Sequence, residues 1–221
     1  MIIDHMNAIW FGHKFFMMLL IGRGAFPLFC YAAATAVQKT KTVLSRRYMI
    51  RMSLLAIISQ PFYYFALGGD TLNIIFTLAL GGLLAGASPR LKLWQMYVLY
   101  TGAIASTLWA VPLQFGLPGV MLPSAILLVQ RGHKSAYAFL LLLLLFINAG
   151  GMPDNTLHTL TVAPMLFYTW ICLAAIFIPL LVLDAARHMP QTGRLLPKYA
   201  LHIFYPAHLL LLKGAGMVLF K

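Results

Sequence analysis

The sequence predicts an all-α, polytopic transmembrane helix bundle of about eight to nine spans, and three observations predict it. The 221-residue chain is 62% hydrophobic and only 9% charged, where soluble domains carry about 25% charged residues. A soluble core cannot absorb that much apolar sequence. Several apolar runs reach or approach the roughly 20 residues that cross hydrocarbon, and the mean hydropathy is +0.86. The basic residues sit in short loops between those runs, and every second loop is basic, the pattern that orients membrane proteins. Residues 1–221 read as a single integral membrane domain.

Nine apolar segments follow one another. Segment 1–11 is too short to span alone. Segment 15–38 is followed by Lys39, Lys41, Arg46, Arg47 and Arg51. Segment 48–66 contains Pro61, and segment 72–87 contains Gly81 and Gly82, which let a neighbouring helix approach. Arg90 and Lys92 come next, then segment 93–110. Segment 115–130 holds Pro118 and Pro123 and reads as kinked or partly re-entrant. Arg131 and Lys134 precede segment 135–149. Segment 160–183 precedes Arg187, Arg194 and Lys198, and segment 199–219 ends the pattern. The other loops hold Asp70 and Asp154, with Lys14 as their base. Basic loops are cytoplasmic, which puts the N-terminus inside and Lys221 outside.

Composition also excludes. The net charge of +12 forms no basic tail and no aromatic-interleaved face, so nucleic acid is not an expected partner. Cys30 and Cys172 lie inside apolar segments and read as small core residues. His13, His133, His158, His188 and His202 fall in loops or at segment ends, without ligand spacing for a metal. No basic n-region or small-residue cleavage site opens the chain, so no cleavable signal peptide is expected.

Function is then sought among polar residues inside the membrane, where each is costly. Arg23, in "LLIGRGAFPLF", lies roughly 12 Å below the outer face. It keeps its proton and needs an anion or several acceptors. Asp4 is the intramembrane acid available to pair with it; the alternative is that Arg23 holds a substrate carbonyl, a phosphate or an oxyanion. Gln60, in "IISQPFYYF", lies near the midplane with Tyr64 on the same face. It either bridges helices or meets substrate. Asn73 and Thr77 share a face, and Asn73 either caps a helix or contacts substrate. Tyr205 and His208 flank Pro206 and point the same way. Asp4 and His5, in "IDHMNAIW", are adjacent and therefore face different neighbours. One reading makes His5 a general base, since an unperturbed imidazole titrates near neutral pH; the alternative is a first-turn pair at the interface.

The blocks "IDHMNAIW", "GRGAFPLFCYAAA", "ISQPFYYFALGGDTLNIIFTLALG" and "IFYPAHLLLL", in that order, resemble the TraX family, which is named for a protein that acetylates the N-terminus of a conjugative pilin. The resemblance implies an integral-membrane acyltransferase-like protein of the bacterial inner membrane, acting on a conjugative pilin subunit with acetyl-CoA as donor. It implies catalytic positions at Asp4, His5, Arg23, Tyr205 and His208, and substrate contacts at Phe26, Gln60, Tyr64 and Asn73. Arg46, Arg47 and Arg51, with Arg90 and Lys92, would receive CoA phosphates, or else serve topology and anionic lipid. Relatives carry about half a helix before the Asp–His pair, whereas three residues precede it here, and no separate CoA-binding signature is present. TrbP-like pilus-biogenesis proteins offer a second expectation: head-to-tail cyclisation, in which the pilin amine attacks the pilin's own C-terminal carbonyl without CoA. A third is a non-catalytic, pilin-specific membrane chaperone.

Overall fold

The computed structural model describes residues 1–40, 46–108, 112–149, 162–188 and 200–219. Lys41, Asp154, His158, Arg194, Lys198 and Lys221 lie outside the described residues, as do the side chains of Arg46, Arg47, Arg187 and His202.

The described residues fold as helices: α1 (Ile2–Phe11), α2 (Phe16–Arg23), α3 (Ala25–Thr40), α4 (Arg46–Leu67), α5 (Ile74–Ala87), α6 (Leu93–Ala105), α7 (Gly116–Gln130), α8 (Ala136–Ala149), α9 (Val162–His188) and α10 (Ala200–Leu219). Segment 15–38 is divided at Gly24, next to Arg23. The side chain of Ile178 on α9 lies 2.6 Å from where a Cβ on Gly24 would stand, so the bare backbone admits α9 at the break. Segment 115–130 is one α-helix whose first residue is Gly116, with Pro123 inside it. Proline is tolerated near a helix start and, deeper in, where neighbours cover the backbone; Pro118 and Pro123 are both buried.

Helix α7 lies at the centre, packed by α3, α5, α6 and α8. It touches α5 closely because Gly81 carries no side chain: a Cβ there would stand 2.9 Å from the Val120 carbonyl oxygen and from Pro123. Helix α10 packs on α1 and α4, and α9 on α2, α3 and α8. The surface is the inverse of a soluble protein's. Ile50, Leu54, Ile57, Ile58 and Phe65 on α4, and Leu166, Trp170, Phe177, Leu180 and Leu181 on α9, are exposed, a cover that hydrocarbon tolerates and water does not. Among the described residues, three stretches are long and apolar enough to cross a bilayer: Phe16–Lys39, Met49–Leu67 and Thr169–Ala186. Ile74–Arg90, Gly116–Gln130, Ala136–Ile147 and Ile203–Leu219 are apolar but shorter.

One irregular stretch is stitched by polar groups. Residues 68–73 meet residues 112–115 through Leu72 N–H to Pro112 O (2.9 Å) and Gln114 N–H to Leu72 O (3.0 Å). Gln60 donates to Thr71 O at 3.0 Å and accepts from Asn73 N–H at 2.9 Å. Asn73 caps α5 by accepting from Ile75 N–H, and its amide donates to Ala56 O, both at 2.9 Å. Thr77 donates to Gln114 O at 2.6 Å. Irregular backbone packed inside a protein must have such partners.

Candidate functional site

The site grows from the helical hairpin α1–α2. Asn7 closes it: its amide donates to Phe15 O at 2.8 Å and accepts from Phe15 N–H at 3.0 Å. Gly12, in the left-handed conformation at φ 54°, ends α1 by donating to Asn7 O, the role such a residue plays at many helix ends. Replacing Asn7 by alanine is expected to cost about 1–3 kcal/mol, because the Phe15 amide and carbonyl lose their partner inside the protein. A lowered melting temperature of the detergent-solubilised protein, with helicity kept at low temperature, is the expected reading.

The hairpin presents Asp4 toward α2 and His5 toward α10. Asp4 lies over Gly22: a Cβ at Gly22 would stand 2.7 Å from its Cγ and 2.8 Å from its Oδ1. Arg23 is the next residue, and its guanidinium is the foremost positive charge acting on Asp4. The two do not meet in a hydrogen bond through Asp4 Oδ1 or Arg23 Nε, both of which are buried and without a partner. A buried acceptor and a buried donor, each left open, invite polar groups that can answer them, a water or a substrate amide.

His5 points the other way. Its Nδ1 lies 2.8 Å from His208 Nε2. The rings are nearly parallel, 7° apart, with centroids 5.1 Å apart. Both residues are almost sealed, at 6% and 5% exposure, so water cannot replace the contact. His208 Nδ1 lies 2.9 Å from the Phe204 carbonyl oxygen. A carbonyl can only accept, so this nitrogen carries a proton. In a neutral ring His208 Nε2 is then a lone pair, and His5 Nδ1–H donates to it. The chain of donors leaves His5 Nε2 as the basic nitrogen of the pair. Trp10 fixes the register by donating to Leu212 O at 2.7 Å, and its ring packs on Gly216. The contacts His5–His208 and Trp10–Leu212 advance together along both chains, so α1 and α10 run parallel.

Tyr205 sits one turn before His208, its ring edge-on to the imidazole at 5.5 Å. It is 3% exposed, and its hydroxyl is buried without a partner. Tyr63 of α4 is the ionisable neighbour acting on it, and Tyr63 pairs with Thr71 Oγ1 at 3.2 Å. A buried hydroxyl with no partner is uncommon and is a ready donor to an oxygen that gains charge.

The structure thus gathers Asp4 with Arg23 on one flank of α1, and His5, His208 and Tyr205 on the other. Gln60 and Asn73 have their side-chain amides committed to the stitch described above. Gln60 and Tyr64 share an open groove of 440 Å³ with Ile57, Pro61 and Phe76. Phe26 is buried in the core, stacked on Phe115 with centroids 4.3 Å apart. Arg51 is exposed near the start of α4. Sequence reasoning missed Asn7, Trp10 and Tyr63. Asn7 was visible as a costly amide inside the first apolar block; nothing in the sequence marks Tyr63 apart from its neighbours Phe62 and Tyr64.

Compared with known proteins, residues 1–215 match the model of the family described as TraX protein. No curated protein and no solved structure matches the chain.

Proposed function

The chain belongs to the TraX family, and on that premise we propose that it is a pilin-maturation enzyme which acylates the N-terminal amine of a conjugative pilus subunit. N-acetylation from acetyl-CoA is the reading we put first. The observation that carries it is the sealed His5–His208 pair with its proton order set by the Phe204 carbonyl. Such a pair is costly in a membrane, and its fixed tautomer presents a ring-nitrogen lone pair to an amine proton.

In this reading the pilin amine attacks the acyl carbonyl, and a nitrogen–carbon bond forms. His5 Nε2 accepts the proton the amine gives up. His208 shares the resulting charge through the 2.8 Å contact, with Phe204 O still accepting from its Nδ1. The Tyr205 hydroxyl donates to the oxyanion of the tetrahedral intermediate, a contact worth most where water is excluded. The oxyanion then reforms the carbonyl, the carbon–sulfur bond breaks, and the sulfur leaves as a thiol with the proton that His5 Nε2 returns. Asp4 and Arg23, with their open atoms, hold the polar backbone of the pilin N-terminus.

Acetyl-CoA supplies the acyl group as a thioester. Arg51, with Arg46 and Arg47 before it, offers the positive charge its phosphates need. Tyr63 lies twelve positions along α4 from Arg51, about 18 Å at the helical rise, so the donor must carry its acyl group on a long flexible arm, as CoA does. We further read the shorter apolar helices as the remaining spans of an eight-to-nine-span acyltransferase-like bundle in the bacterial inner membrane, with the N-terminus cytoplasmic.

Intact mass of the cognate pilin, co-expressed with and without this gene, tests the proposal. A gain of one acetyl group supports it. Loss of water, or of a C-terminal peptide together with a blocked N-terminus, replaces it with cyclisation. An unchanged mass with an altered pilin level leaves a chaperone.

A further inference from the structure

We propose that the groove between α5 and α7 binds one anionic phospholipid, its acyl chain along the groove and its phosphate on Arg90. Leu80, Leu83, Leu84 and Ala87 on α5 and Leu117, Val120 and Met121 on α7 line it, and Arg90 closes one end. The spacing is that of two helix faces, each at intervals of three and four. On α5 the stripe runs from Leu80 to Ala87 and reaches Arg90 three residues later, just past the helix. The volume is 470 Å³, within the roughly 300–1,000 Å³ usual for ligand sites. The close approach at Gly81 makes it a groove between two joined helices rather than a gap.

Charge selects the occupant. Arg90 is exposed, and no hydrogen bond or ion pair to it occurs among the described residues. The chain has 16 Lys and Arg against four acids, so it is poor in anions of its own. Asp4 lies against Gly22, and Asp70 lies just before α5, the far end of that helix from Arg90. An apolar stripe that ends on an unpaired guanidinium matches an acyl chain that ends on a phosphate. Basic sites between helices bind anionic headgroups in this way. A second copy of this chain, bringing Asp184, which is exposed near the end of α9, is the competing occupant.

Native mass spectrometry of the detergent-solubilised full chain distinguishes them, with phosphatidylglycerol and phosphatidylcholine of equal chain length as probes. The expected result is one retained phosphatidylglycerol and little phosphatidylcholine. Arg90→Gln is expected to lower phosphatidylglycerol occupancy roughly fivefold, the contribution of one basic residue at an anionic surface. Arg90→Lys is expected to keep most of it. Ala87→Phe, which fills the groove, is expected to remove both lipids while Arg90 remains. Equal retention of the two lipids, or unchanged retention in Arg90→Gln, overturns the proposal. A dimer that Arg90→Gln converts to monomer assigns the face to a second copy. None of these readings depends on the pilin, so the acyl-transfer proposal stands or falls apart from this one.

Discussion

Exchange of His5 for alanine is expected to slow pilin modification by about 10²–10⁴-fold, the usual worth of a positioned general base. Intact mass of the pilin over time measures it, and a melting curve in detergent shows that the fold survives. The companion exchange is the sharper one. In His208→Leu the His5 Nδ1–H loses its acceptor, and nothing then holds the proton on that nitrogen rather than on Nε2. A base in the wrong tautomer cannot take the proton, so activity is expected to fall although His5 is intact. His208→Gln restores an acceptor but cannot share the positive charge. If orientation alone matters, glutamine recovers most of the lost rate. If His208 shares the charge, glutamine displaces the acidic limb of the pH–rate profile. A packing role predicts that neither exchange moves the midpoint of that limb, and this result would remove His208 from the mechanism.

The helices were legible because apolar runs and breakers fix them locally. The segments read as 1–11, 72–87 and 115–130 are found as Ile2–Phe11, Ile74–Ala87 and Gly116–Gln130. What packs at Gly24 was not legible, since it is Ile178 of α9, a residue more than 150 positions away. The span count is a different matter. Among the described residues, length and composition mark three stretches as sufficient by themselves, and a helix such as α7 needs no lipid-facing length when its neighbours cover it.

The site was legible as a set of expensive residues and illegible as a geometry. His5 and His208 stood out for cost, but their contact spans 203 positions. Their proton order rests on a backbone carbonyl, which no side-chain pattern displays. Gln60 and Asn73 stood out for the same cost, yet their amides close an irregular stretch of backbone. Price alone does not separate a polar group that holds the fold from one that meets a substrate. What separates them is whether partners remain: the amide of Asn73 has its partners, whereas the hydroxyl of Tyr205 has none.

Gly22→Ala is expected to cost more than its size implies. The added methyl would stand 2.7 Å from the Cγ and 2.8 Å from the Oδ1 of Asp4, well inside contact distance, and α1 or Asp4 must give way. Overpacking of this kind costs about 1–3 kcal/mol, read as a lower melting temperature. It also displaces α1, and with it the His5–His208 contact, so activity is expected to fall with stability. Asp4→Gly in the same chain removes the obstructing side chain, at roughly 1 kcal/mol for glycine within a helix. The double variant is therefore expected to melt higher than Gly22→Ala alone. Its activity decides what Asp4 does. If Asp4 only packs against Gly22, activity returns with the fold. If its open carboxylate oxygen holds the pilin N-terminus beside Arg23, the double variant folds and stays inactive. Asp4→Asn in the wild-type background, which keeps the shape and removes the charge, must then be inactive as well; full activity in that variant would discard the substrate role.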